Sequence, residues 1–357
     1  MTSCLKAPPW REALRRGWGG VPIFPTFLMP SFLQRSLLAT LAYFDLFDYP
    51  LTLMELERYR YCFLENERTP IIGEILEALQ GMPEAVAERD GFWHLADRGD
   101  IVGIRERRYR LAEAKFAKAR MVTRILRVIP SVRLVTVCNS LALSNADSES
   151  DIDLFVVARS GCLWVTRLII VGALAALRLR PNRKSHADKV CMSFFVSERA
   201  LDLSRIAIRP HDTYLQYWVA SLVPLYDAGG VFQHFLEQNI WIKHTVPGAL
   251  RARRSDTIKA RWTERFLPLL RAFEPFAKKI QLRLFPAEIR VRANQDNHVV
   301  ISDDMLKFHV TDRREEYERK FRAQLFKLGL DESILEKLNI RVERLKVTPK
   351  GEEVRRL

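Results

Sequence analysis

Two carboxylates lie two positions apart in a segment that otherwise has the character of a buried strand. Asp151 and Asp153 lead into the apolar, β-branched run 154–157, and alternate residues of a strand point to the same face. Carboxylates this close repel each other, so one of them has a raised pKa or both bind a cation. Mg²⁺ takes carboxylate oxygens and keeps its other positions for water and phosphates. The pair therefore predicts a Mg²⁺ site, with Mn²⁺ as the alternative ion.

A strand, a tight turn and the start of a helix precede the acid pair. The apolar segment 134–137 predicts the strand, Asn139 and Ser140 the turn, and the apolar residues 141–143 the helix. Free backbone N–H groups and the helix dipole favour a phosphate at a helix N-terminus, where Ser140 is expected. The spacing predicts an anion site and a metal site within one structural unit.

This arrangement resembles the nucleotidyltransferase fold of the DNA polymerase β superfamily, whose signature is a Gly-Ser or Gly-Gly turn, a helix, and Asp-x-Asp on the next strand. Ser140, Asp151 and Asp153 match the signature, and Asn139 stands where the family has glycine. Asparagine tolerates a positive φ better than other non-glycine residues, so the turn is expected to persist. The string 140–157, with 191–195 after it, is similar to a poorly characterised bacterial subgroup. The resemblance covers residues 130–245, about a third of the chain.

The resemblance implies an α+β fold with a mixed sheet, and transfer of a nucleoside monophosphate from a nucleoside triphosphate to an acceptor with release of pyrophosphate. By this resemblance Asp151 and Asp153 are catalytic metal ligands, and Asn139 and Ser140 bind the nucleotide. The choice of triphosphate stays open. So does the acceptor, which is a protein side chain, a small molecule or an RNA end.

The family's third carboxylate, on a later neighbouring strand, has no direct counterpart. The run 189–196, KVCMSFFV, predicts that strand and contains no acid. Ser193 stands where an acid is expected, and Asp188 comes just before the strand. Asp188 is the predicted catalytic base, and a base from elsewhere or a missing base are the alternatives. Without a base, the domain would bind a nucleotide and not transfer it.

An acidic loop exposed to solvent is the simpler interpretation of the same carboxylates. Asp147, Glu149, Asp151 and Asp153 stand at alternate positions of one short segment, and Asp-x-Asp alone is a common pattern. The apolar strand directly after Asp153 argues against this interpretation, because a solvated loop has no reason to continue into it.

Residues 31–98 have the pattern of a winged-helix-like domain. Apolar spacing predicts helices over 33–46, 53–61 and 71–79, with Thr52 as an N-cap, and a hairpin around Asp90-Gly91. DNA binding is the usual function of that shape. The second helix mixes Glu55 and Glu57 with arginines, however, so packing or dimerisation is given equal weight with nucleic-acid contact.

Positive charge dominates the remaining regions. The formal net charge is +14 and the sequence pI is about 9.7. Residues 99–129 predict a basic helical connector, and residues 246–357 a mainly helical C-terminal region. This charge favours a nucleic acid as a further partner, through a basic surface.

Localisation follows from cysteines and hydropathy. The five cysteines form no CxxC or Cys/His spacing, which favours the reducing cytoplasm and argues against a zinc site. Residues 1–30 are expected to be a disordered leader, and no apolar run is long enough to span a bilayer, so no membrane partner is expected. The sequence thus predicts a cytoplasmic, Mg²⁺-dependent nucleotidyltransferase. The alternative is a winged-helix DNA-binding regulator with a degenerate, nucleotide-sensing domain.

Overall fold

The computed structural model describes residues 30–63, 67–181, 187–250 and 262–330. Within these ranges the protein is α+β, with a mixed six-stranded sheet, a separate two-stranded hairpin and eleven α-helices. Most of the predicted leader, residues 1–29, lies outside the described residues. The helices are α1 Phe32–Asp45, α2 Leu53–Tyr59, α3 Ile72–Gln80, α4 Ile101–Leu126, α5 Asn139–Ala142, α6 Leu163–Ala176, α7 Thr213–Ser221, α8 Val231–Gln238, α9 Leu267–Leu284, α10 Ala287–Arg292 and α11 Arg314–Lys327.

The N-terminal region forms the three predicted helices and the predicted hairpin. Ser31 caps α1, and Thr52 caps α2 through reciprocal hydrogen bonds with Glu55. Strands β1 Val86–Arg89 and β2 Phe92–Leu95 pair antiparallel around Asp90 and Gly91, both of which have positive φ. A two-residue turn with positive φ at both positions, which favours Asn, Asp and Gly, matches the twist of the paired strands.

The six-stranded sheet is assembled from distant parts of the chain. Its strands are β3 Val132–Val137, β4 Ile152–Ala158, β5 Val190–Ser197, β6 Val223–Asp227, β7 Val299–Ile301 and β8 Met305–Phe308, in the order β6-β3-β4-β5-β8-β7. Only β4 and β5 pair in parallel; the other neighbours are antiparallel. The predicted strands 134–137 and 189–196 are confirmed as β3 and β5. The region after residue 245 contributes two sheet strands as well as helices.

Alternation along β4 divides the core into two apolar clusters. Phe155 and Val157 belong to one cluster, and Ile152, Leu154 and Val156 to the other. The first cluster also contains α1, α7 and α8, whereas the second contains α4, α6 and α9. Because Asp153 has the same parity as Phe155, it points toward the first cluster.

The N-terminal helices share this first cluster with the sheet. Tyr43 of α1 stacks on Tyr217 of α7 with ring centroids 4.1 Å apart, and Tyr43 also meets Phe321 of α11 edge to face at 5.4 Å. The Tyr217 hydroxyl donates to the backbone carbonyl of Tyr59. The winged-helix-like region is therefore packed against the sheet domain through a buried aromatic interface.

The segment predicted as a basic helical connector contains the long helix α4. Arg105 and Lys115 are buried in ion pairs, with Glu55 and Asp188 respectively. The exposed face carries basic residues, namely Arg107, Arg110, Arg120, Arg124 and Arg127. Within the described ranges, every helix is too short or too polar to cross a bilayer.

Candidate functional site

The two predicted metal ligands lie side by side at the start of β4. Asp151 immediately precedes the strand and Asp153 is its second residue, while Ile152 and Leu154 between and after them are fully buried on the opposite face. Carboxylate oxygens of both residues lie within 4.8 Å of each other and of the Cys191 sulfur. Asp147 and Glu149 are exposed, so the simpler solvated-loop interpretation fits those two acids and not Asp153.

The turn after β3 is held against Asp153. Asn139 has φ +57°, the left-handed conformation that asparagine was expected to supply in place of glycine. Its side-chain Nδ2 donates to Asp153 Oδ2 at 2.7 Å, and its Oδ1 accepts from the Trp218 indole N–H at 2.9 Å. The backbone N–H of Cys138 donates to the Asp153 carbonyl at 3.2 Å. Asn139 thus couples the turn, the acid strand and α7.

Asp153 carries an unfavourable charge in this environment. Burial, and then the neighbouring charge of Asp151, raise the pKa of Asp153 to about 6, against the opposing hydrogen bond from Asn139. Among the described residues, Asp153 has no ion pair with a lysine or arginine. A bound cation would relieve both causes of the shift, because it neutralises the pair and replaces lost hydration.

The strand beside the pair supplies a third donor, a thiol. Cys191 of β5 is paired with Asp153 of β4, and burial followed by the charge of Asp153 raises the pKa of its thiol. Asp153 pairs with Cys191 and Phe155 pairs with Phe194, so β5 advances three positions where β4 advances two. This bulge places Cys191 and Phe194 on the same face of β5. We call Asn139, Asp151, Asp153 and Cys191 the acid cluster.

A cavity of about 380 Å³ opens at the acid cluster and is bounded by β5, β8, α7 and α11. Its walls include aromatic rings: Trp218 meets Phe194 with centroids 5.6 Å apart, and Tyr214 stacks on Tyr317 at 5.4 Å. Ser193 Oγ lies 3.2 Å from His309 Nε2 in the same wall. Burial lowers the pKa of His309 to about 3, so its imidazole is neutral at physiological pH.

A second polar cluster contributes Lys307, Asp312 and Arg314 to the lining of this cavity. Lys307 and Arg314 face Asp312 at 2.8 and 2.9 Å, and Arg314 also pairs with Asp212 at 2.7 Å. All four side chains are almost completely buried. We call these four residues the ion-pair cluster. Burial alone would raise the pKa of Asp312, but Arg314 and Lys307 hold it well below its usual value.

Asp188, the predicted base, is engaged by a lysine. Lys115 Nζ of α4 lies 2.6 Å from Asp188 Oδ1 and donates to the Ser150 carbonyl at 2.7 Å. The Asp188 backbone N–H also donates to the Ser150 carbonyl, at 3.2 Å. These contacts fix the chain immediately before Asp151. Asp188 itself is not part of the three-ligand group of Asp151, Asp153 and Cys191.

Ser140, the predicted phosphate ligand, is exposed at the surface. It is the second residue of α5, which extends over only four residues. Its backbone carbonyl accepts from the Asn145 N–H at 2.8 Å, which closes the turn. Ser140 is adjacent in sequence to Asn139, which lines the cavity, but does not itself line it.

Three residues of the site were not assigned a role from the sequence. These residues are Cys191, Trp218 and His309. The alternation of the strand 189–196 could have identified Cys191, once a parallel pairing with β4 had been assumed. Nothing in the sequence around Trp218 or His309 signals their approach to Asn139 and Ser193, which lie 79 and 116 positions earlier and which the structure brings into one cavity.

Comparisons of this protein with models of protein families, with curated proteins and with solved structures found no match. The interpretation of the site therefore depends on its own residues and geometry.

Proposed function

We propose that the protein is a divalent-metal-dependent nucleotidyltransferase, which moves a nucleoside monophosphate from a nucleoside triphosphate to an acceptor. The observation that supports this most directly is the acid cluster itself. Asp151 and Asp153 share one strand face, the left-handed turn at Asn139 is bonded to Asp153 at 2.7 Å, and Asn139, Asp153 and Cys191 line a cavity. The β3-turn-α5-β4 connection, with β5 parallel to β4, agrees with the polymerase-β-like architecture that the motif resembles.

The donor set fits a divalent cation. Asp151 and Asp153 offer hard oxygen ligands, and their mutual repulsion is relieved by a positive charge. When bound, such a cation neutralises charge that develops on a transferred phosphoryl group. The Cys191 thiol is the one donor of the group that does not suit Mg²⁺, the ion expected from the sequence.

The protein's own side chains would perform three further tasks. Asn139 would keep Asp153 oriented through its amide, because both ends of that amide are already bonded. The aromatic walls of Trp218 and Tyr214 would offer flat apolar surfaces to a nucleobase. Asp188 remains our proposed base, although its ion pair with Lys115 must then open or turn during turnover.

Nucleotide transfer can be tested directly. Purified protein is incubated with each labelled nucleoside triphosphate, a panel of divalent cations and a cell extract as the acceptor source, and pyrophosphate release and labelled products are measured. We expect metal-dependent transfer that Asp153→Asn abolishes. The exposed acid Asp147 provides the matched control, since Asp147→Asn should transfer normally. Transfer by Asp153→Asn at the wild-type rate would overturn the assignment.

The regulator with a degenerate domain is supported by one observation, the absence of a carboxylate along strand β5. The other part of that hypothesis, DNA binding by the N-terminal region, receives less support. Helix α3, which would enter the groove of a winged-helix target, carries Glu74 and Glu77 and has no lysine or arginine, whereas binding to a phosphate-lined groove requires positive charge. We propose a packing role for the N-terminal region and a cytoplasmic location. The latter agrees with the free thiols at Cys62, Cys138, Cys162 and Cys191.

A further inference from the structure

The third donor of the acid cluster is sulfur. Asp151, Asp153 and Cys191 place one ligand atom each within 4.8 Å of the others, and within the described residues no other trio of His, Cys, Asp or Glu does so. The sulfur is held by the register of two adjacent parallel strands, in which Cys191 is the partner of Asp153. Its position is therefore fixed by the sheet and does not depend on a flexible loop.

Two independent features indicate that this trio is built to hold an ion. The bulge in β5 directly after Cys191 turns Cys191 and Phe194 to the same side, and bulges of this kind re-aim side chains beside functional sites. In addition, the half-buried Asp153 carboxylate is hydrogen-bonded by the Asn139 amide and the Cys191 thiol, and among the described residues it has no ion pair with a lysine or arginine. A cation is the missing partner that this arrangement would accommodate.

The chemistry of the trio separates the candidate ions. Mg²⁺ requires near-octahedral oxygen ligation and accepts sulfur poorly. Zn²⁺ binds both carboxylate oxygen and thiolate sulfur, and it accepts three protein ligands with a further position left for water or substrate. We propose that Asp151, Asp153 and Cys191 form a site that selects Zn²⁺ over Mg²⁺. The choice of metal is argued from these three residues alone, and this inference rests on the proposed function only for the identity of the substrate.

The coordination step is balanced by one proton. The Cys191 thiol loses its proton to solvent as the sulfur–metal bond forms, and the two carboxylates bind as anions. With three anionic ligands the Zn²⁺ site would have a formal net charge of about −1, whereas Mg²⁺ on the two carboxylates alone would be neutral, so a substrate phosphate would approach a less positive site. No oxidant or reductant takes part.

Cobalt provides a direct readout of sulfur ligation. Reduced, metal-free protein is titrated with Co²⁺, and we expect a thiolate-to-cobalt charge-transfer band in the near ultraviolet that saturates at one equivalent. Addition of one equivalent of Zn²⁺ should remove the band. A large excess of Mg²⁺ should leave it unchanged.

Two substitutions at one position give opposite expectations. Cys191→Ser should abolish the band and weaken Zn²⁺ binding at least about tenfold, in line with the loss of one ligand. Cys191→Asp should also abolish the band, yet it should gain Mg²⁺ binding, because it restores three oxygen donors. Cys162→Ser, which alters a thiol in the other core cluster, is the matched control and should retain the band. Circular dichroism establishes that each variant is folded.

The outcomes distinguish this inference from the proposed function. Persistence of the band in Cys191→Ser, or its removal by stoichiometric Mg²⁺, would overturn the zinc site while leaving nucleotidyl transfer untouched. If the band depends on Cys191 but no cation supports transfer, the metal site stands and the proposed function fails.

Discussion

Residues of the acid cluster and of the ion-pair cluster line one cavity, but the charges of the two clusters are compensated differently. The ion-pair cluster matches two cations to two carboxylates within 2.9 Å, and the pKa of Asp312 is lowered as a result. The acid cluster sets two carboxylates against each other, and the pKa of Asp153 is raised to about 6. Removing one partner of a compensated buried cluster leaves an unpaired charge, whereas the raised pKa of Asp153 marks a carboxylate whose ionised form a bound cation would stabilise.

The location of the two clusters explains why they differ. Arg314 connects α11 to residues before α7, since it also donates to the Ile206 carbonyl at 2.9 Å, and Lys307 donates to the Asn297 carbonyl at 2.7 Å. These cations therefore join chain segments that are far apart in sequence. Asn139 performs the corresponding structural task in the acid cluster with a neutral amide, which leaves the carboxylate charge available to a ligand.

The largest expected effect comes from breaking the balanced cluster. Arg314→Met leaves Asp212 and Asp312 buried with too little positive charge, so we expect a loss of about 3–5 kcal/mol in the free energy of unfolding. Urea denaturation monitored by tryptophan fluorescence measures it. Arg313→Gln is the control: Arg313 is exposed and pairs with Glu316, so its loss should be below about 1 kcal/mol. A small effect of Arg314→Met would show that the cluster is not structural.

Relieving the unbalanced cluster should have the opposite sign. In metal-free protein at pH 7.5, Asp153→Asn should raise the free energy of unfolding by roughly 1–3 kcal/mol, since the variant removes a strained charge. Because the folded-state pKa of Asp153 is raised to about 6, the wild type loses stability as pH rises from about 4 to 6. The advantage of the variant should therefore be complete above pH 6 and shrink toward pH 4.

The neighbouring acid Asp147 supplies the comparison for that experiment. Hydrogen bonds from Ser150 lower the pKa of Asp147, so its ionised form is favoured by the fold. Asp147→Asn should therefore be neutral or slightly destabilising at pH 7.5. Thermal melts of both variants across pH 4–8 provide the measurement. Equal responses of the two variants would contradict the distinction between a strained and a satisfied carboxylate.

A smaller effect on stability, with a larger one on turnover, is expected where α4 supports the acid cluster. Lys115→Met removes the contact to the Ser150 carbonyl at 2.7 Å and should lower kcat and metal affinity together, because the chain before Asp151 loosens. Asp188→Asn preserves an acceptor for Lys115 and should cost less than about 1 kcal/mol in stability. If Asp188 is the base, kcat falls at least about a hundredfold in Asp188→Asn with KM unchanged. An unchanged kcat would leave Asp188 as a positioning residue.

The least effect on stability is expected from charges outside both clusters. Replacing Arg107, Arg110 and Arg120 with glutamine should change the free energy of unfolding by under about 1 kcal/mol, as these side chains are exposed. If they contact phosphates, the variant should bind duplex DNA or RNA more weakly and with a flatter salt dependence. Titrations at several salt concentrations measure this. Unaltered binding, or none at low salt in the wild type, would remove nucleic acid as a partner of this surface.

Local patterns were sufficient to predict the elements that carry the acid pair. The alternation of Asp151 and Asp153 with Ile152 and Leu154 sets their common face, because side-chain direction in a strand is a property of the backbone. The tolerance of asparagine for positive φ likewise predicted the conformation of Asn139. Capping residues and the Asp90-Gly91 turn located the helices and hairpin of the N-terminal region.

Long-range pairing decided the rest of the site. Cys191 became a potential ligand only because β5 pairs in parallel with β4 in one register, and a shift of one residue would have turned its thiol to the opposite face. The ion-pair cluster forms only because β8 and α11 meet the start of α7. Arg314 and Asp212, which pair there, are about a hundred residues apart in the chain. Sequence alone determined which carboxylates repel each other and which strand face they share. The tertiary structure decided which buried charges have an oppositely charged partner, because those partners come from distant segments that no local pattern specifies.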